Sequence, residues 1–151
     1  MGLDMYLDVT KLISCFFWKE VKITVNNKEL TSKGDYNEMG RIKEIKVNGI
    51  YWRKANAIHK WFVDNCQDGT DDCRASQVGR EQLIELRDLC IQVKADHSKA
   101  HELLPFFEGF FFGTYGYDEW YFGAIEDTIN EINILLKTFD DSWDFEYRSS
   151  W

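Results

Sequence analysis

A chain of 151 residues, 44% apolar and 16% aromatic, is long enough for one domain with a real core and too hydrophobic for disorder. Its formal charge of −8 argues against direct nucleic-acid binding, which wants a basic stripe. Apolar runs such as Phe110-Phe111-Phe112 fall far short of the roughly 20 residues that span a bilayer, so no membrane is expected.

Met1-Gly2-Leu3-Asp4 carries neither a basic region nor an apolar segment of a secretory signal, and Tyr6 stands where a myristoylation motif wants Ser or Thr. The expected location is cytoplasmic. Cys15, Cys66, Cys73 and Cys90 then read as thiols, not disulfides.

Leu3, Met5 and Leu7 alternate with Asp4, Tyr6 and Asp8, which predicts a half-buried strand. Residues 9–18 are denser and read equally as strand or helix. Val21–Val25 alternates again, and Asn26-Asn27 before Lys28-Glu29-Leu30 signals a hairpin. Residues 31–40, with Gly34 and Gly40, read as a loop. A strand is expected over Arg41–Val47, ended by a turn at Asn48-Gly49.

The stretch Tyr51–Val63 is the most distinctive. Ala55, Ile58, Phe62 and Cys66 recur at helical spacing, so a helix is expected from about Trp52 to Cys66. Residues 67–72 form an acidic loop. A second helix is expected over about Arg80–Ala95 on the stripe Leu83, Leu86, Cys90 and Val93, then a short helical piece over 97–104 that Pro105 ends. Gly109–Gly113 reads as a buried strand or loop. Asp118 is a good N-cap for a third helix, whose stripe runs Phe122, Ile125, Ile129, Ile132, Leu136 and Phe139. Trp143, Phe145 and Tyr147 alternate, as in a closing edge strand. The sum is a single α+β domain over 1–151. Its small antiparallel sheet comes from the N-terminal strands and the C-terminal strand, packed with three main helices.

Four groups of residues could carry function. Trp52, Arg53, Asn56, His59 and Trp61, with Tyr51 beside them, would suit a small nucleotide: Arg for phosphate, Asn and His for a base, Trp for stacking. Packing is the competing reading, with Arg53 paired to Asp4 or Asp118 and Asn56 satisfying backbone. Cys66, Cys73, His97 and His101 are a weak zinc candidate, because the cysteine spacing is wide. Asp71, Asp72, Glu108, Asp118 and Glu119 could pair as hydrolase carboxylates with His59 as base, but no hydrolase motif accompanies them. No cofactor is indicated.

The fourth group is charge. Residues 118–151 hold nine acids against two bases, a balance of −7, whereas the other 117 hold 17 acids and 16 bases. Glu119, Glu126, Asp127 and Glu131 lie on the third helix, with Tyr115, Tyr117 and Trp120 nearby. Such a face either keeps the protein soluble or meets a partner with a basic surface.

Gly2-Leu3-Asp4-Met5-Tyr6-Leu7, Tyr51–Val63, Asp71-Asp72-Cys73, Leu103-Leu104-Pro105, Gly109–Gly113 with Tyr117-Asp118-Glu119, and Ser149-Ser150-Trp151 together span most of the chain. On these pieces the chain resembles a family of small phage and prophage proteins of unassigned function. Residues 8–40 resemble the pattern least. Some members of that family carry a kinase label, but this chain has no Gly-x-x-x-x-Gly-Lys-Ser/Thr loop. The resemblance implies a phage-encoded accessory protein in a bacterial cytoplasm. With the acidic helix, it leads to an expected non-enzymatic inhibitor of a host defence protein, such as an anti-CRISPR nuclease inhibitor. The nucleotide pocket and simple homo-oligomerisation stand as alternatives.

Overall fold

The alternation that begins at Leu3 continues through Val9, so β1 (Asp4–Leu12) presents an unbroken apolar row on one face. A computed structural model describes residues 2–13, 20–34, 39–107 and 116–151. In it β1 pairs antiparallel with β4 (Glu44–Arg53) on one side and with β6 (Asp144–Ser150) on the other. A short strand, β5 (Ser76–Val78), pairs with β6, giving the sheet order β4-β1-β6-β5. β2 (Lys22–Val25) and β3 (Lys28–Thr31) form a separate hairpin, whose tip residues Asn26 and Asn27 have φ of 50° and 62°. Asn tolerates that left-handed conformation, as a two-residue turn requires.

One face of the sheet carries the helices α1 (Asn56–Cys66), α2 (Arg80–Ala95) and α4 (Glu119–Thr138); a 3-10 turn at His97–Lys99 leads into the short α3 (Ala100–Leu103). This is the expected α+β arrangement. Phe62 of α1 stacks on Tyr147 of β6 with ring centroids 4.0 Å apart, and Ile125, Ile132 and Leu135 of α4 fill the same core. α2 lies antiparallel to α4. Arg80 at its start donates to the open carbonyls of Leu136 (2.6 Å) and Phe139 (2.8 Å) at the end of α4, and Lys94 at its end reaches Glu126 (2.6 Å). Among the described residues no helix is long and apolar enough to cross a membrane.

Three local expectations are corrected. Asn48-Gly49 is not a turn but a bulge inside β4: Leu7 pairs with Ile50 and Asp8 with Asn48, leaving Gly49 as the extra residue. Tyr51-Trp52-Arg53 is therefore the end of β4, and α1 starts only at Asn56. The C-terminal strand is interior, not an edge, because β5 covers its other side. Gly109–Gly113, with Tyr115 and Glu108, lies outside the described residues, as does Cys15.

Candidate functional site

On the 51–63 stretch Trp52, Asn56, His59 and Trp61 are committed to the interior, whereas Tyr51, Arg53 and Lys54 are exposed. Trp52 faces inward opposite Met5, and its indole Nε1 donates to Thr128 Oγ1 at 2.9 Å. Trp61 is buried with its ring edge-on to Phe62. Neither tryptophan has a face to offer a base. Asn56 donates to the Phe107 carbonyl (2.7 Å) and accepts from the Phe107 amide (2.6 Å), so its amide is used on backbone. Arg53 is exposed and pairs with neither of the acids anticipated for it. Tyr51 donates its hydroxyl to Asp4 instead, and Asp118 caps α4.

His59 is completely buried, at 0% exposure. Its Nε2 lies 3.0 Å from Asp71 Oδ2 and its Nδ1 lies 2.7 Å from the Tyr147 hydroxyl. A carboxylate only accepts, so Nε2 carries the proton and Tyr147 donates to Nδ1. Burial pushes the imidazole below its ordinary value of 6.5, against the opposing pull of Asp71, and burial holds the Tyr147 phenol well above its ordinary value. Trp151 completes the set by donating its indole to Asp71 Oδ1 at 3.1 Å. This is a clamp between layers, with the imidazole sealed from solvent, and it gives a hydrolytic base no access to substrate.

Among the described residues, the remaining carboxylates of that set do not converge on it. Asp72 takes the Arg74 amide at 3.1 Å, Asp118 takes the Tyr121 amide at 3.0 Å, and Glu119 faces solvent. The zinc candidates are likewise apart. His97 stacks on Phe122 at 3.7 Å, His101 Nδ1 sits 2.9 Å from the Ser98 carbonyl, and burial raises the half-buried Cys66 thiol to about 11. Among the described residues no three His, Cys, Asp or Glu side chains gather as a metal set. Cys73 is a half-buried free thiol.

α4 presents an organised outward face. At 100° per residue its exposed positions fall within an arc of roughly 160°. That arc holds Glu119, Glu126, Asp127 and Glu131, all exposed, with Lys137 as its one base. Glu126 is paired to Lys94, whereas Glu119, Asp127 and Glu131 have no ion pair among the described residues. Two large apolar side chains stand in the same arc, Trp120 at 82% exposure and Ile134 at 62%. Tyr117, just before the helix, packs against Phe106 and Tyr121 and is partly exposed. The acids follow from helical spacing, whereas the sequence leaves Trp120 open between core and interface. Ile134 falls off the buried stripe, and its phase marks it as outward-facing.

Comparison with protein-family models, with curated proteins and with solved structures finds no match.

Proposed function

We propose that this chain is a phage-encoded accessory protein that binds and inhibits a host defence protein, a nuclease of the anti-CRISPR target kind, in the bacterial cytoplasm. It does so through the exposed face of α4 and without catalysis of its own. The observation that carries the reading is the composition of that face: three unpaired carboxylates and Glu126 beside exposed Trp120 and Ile134. Solvation accounts for the acids; Trp120 near the start of the helix and Ile134 near its end add exposed apolar area to the same arc. Acids steer and orient a basic partner, and exposed aromatic and aliphatic anchors supply affinity once water is excluded. From Glu119 to Glu131 the carboxylates run about 18 Å along the helix axis, long enough to lie along a nucleic-acid channel. The resemblance to small phage proteins supplies the biological setting.

The test is a charge reversal, E119K/E126K/D127K/E131K, in a bacterial host that carries a nuclease-based defence. Parent protein is expected to raise phage plating efficiency and to retain the target nuclease on an affinity column in a salt-sensitive manner. The reversed protein is expected to lose both at least tenfold while keeping its circular dichroism spectrum. Protection that survives the reversal sinks the reading.

A further inference from the structure

β4 ends at Arg53 and α1 starts at Asn56, so two residues turn the chain. One of them, Lys54, has φ of 56°, a left-handed conformation that a residue with a long side chain rarely adopts. Its amide is fixed to the Leu3 carbonyl at 2.8 Å. In a strand, successive side chains point to opposite faces. Past Arg53 the strand rule no longer applies, and Arg53 and Lys54 both line one cavity, a space of about 80 Å³.

Arg53 and Lys54 are both exposed. Neither makes an ion pair or a side-chain hydrogen bond among the described residues, in a chain with 26 acids. Asp4, opposite Arg53 in the sheet, is taken by the Tyr51 hydroxyl, and Asp118 by the Tyr121 amide. Two like charges around one small space repel unless an anion sits between them. The first turn of α1 opens on the same cavity with Ala55 at its N-cap and no capping side chain, which adds to the positive potential. At the rim stands Trp120, the most exposed of the aromatic rings that line it.

We infer that this cavity binds an organic phosphate that carries a planar ring, a nucleoside monophosphate in size and chemistry. The space is large enough for a phosphate. The phosphate lies between Arg53, which bonds it through its guanidinium fork, and Lys54. The ring stays outside and stacks on Trp120. The site differs from the nucleotide pocket expected from the sequence in dropping Trp52, Trp61, Asn56 and His59 as contacts and in gaining Lys54 and Trp120. It does not rest on the partner proposed for α4, and its test needs no partner.

Calorimetric titration of the purified protein with orthophosphate, AMP, CMP and benzoate separates the contributions. Nucleoside monophosphates are expected to saturate at least tenfold tighter than orthophosphate, with benzoate weaker than either. Arg53→Gln should weaken both phosphate ligands at least tenfold. Trp120→Ala should bring AMP down to the level of orthophosphate and leave orthophosphate unchanged. Both side chains are exposed, so both variants should melt with the parent. No saturable binding of AMP or CMP to the parent overturns the site. Equal affinity in Arg53→Gln, or benzoate ahead of AMP, does the same.

Discussion

At Gly49 the backbone passes so close to its neighbours that hydrogen is the only side chain that fits. A Cβ there would lie 2.6 Å from the Leu7 carbonyl oxygen and 2.9 Å from both Leu135 Cδ1 and Val9 Cγ2. The bulge therefore packs directly under α4 with no slack. Gly123, on the exposed side of α4, has nothing within 4 Å of the same position. The same substitution should act in opposite directions at the two sites. Gly49→Ala should lose about 1–3 kcal/mol through overpacking. Gly123→Ala should gain about 0.5–1 kcal/mol through helix propensity. Urea midpoints at unchanged m would read both. A neutral Gly49→Ala would mean that the bulge can slide away from Leu7.

α4 stands on three supports at the level of the element: a cap at its start, an apolar stripe along one side and Arg80 at its end. Asp118 sits in extended backbone and accepts from the Tyr121 amide at 3.0 Å, satisfying one of the four amides that a helix leaves open. Asp118→Ala should cost about 1 kcal/mol, and Asp118→Asn, which keeps the acceptor, only a few tenths, about the helix-dipole share. Chemical denaturation of the two variants distinguishes the lost hydrogen bond from the lost charge. Helices of this kind are legible in sequence because cap and period agree, and α2 and α4 begin and end within a residue or so of expectation. The β4–α1 junction was not legible. One bulged residue breaks the alternation of Ile45 and Val47 against Ile50 and Trp52, so the period in the sequence ends at Asn48 although the strand continues. β5 escaped notice because three residues hold no period. Site residues followed the same rule. The outward acids of α4 follow from phase alone. The commitment of Asn56 to Phe107 and of His59 to Asp71 and Tyr147 depends on segments brought together only by folding.

Across the whole molecule, that His59 contact joins four parts of the chain: α1, the loop at Asp71, β6 through Tyr147, and the C-terminal Trp151. Its imidazole is neutral and fully buried, so it couples stability to pH. The imidazole is held below its ordinary value of 6.5 in the folded protein. Above that value both states are neutral and the clamp contributes in full. As pH falls through it, the unfolded chain binds a proton that the folded chain refuses, and stability declines until the folded value is reached. The direction is a loss of stability on acidification below about 6.5, in a range where ordinary carboxylates are still ionised. The other two histidines, His97 and His101, are exposed. Equilibrium unfolding between pH 7.5 and 5.5 should therefore show a downward slope toward acid in the parent. His59→Gln should start lower at pH 7.5, having lost the fit between Asp71 and Tyr147, and should show a much flatter profile. A His59→Gln profile as steep as the parent's would place the titrating group elsewhere. A parent profile that rises toward acid would mean that the Asp71 carboxylate outweighs burial, holding a charged imidazolium inside the fold.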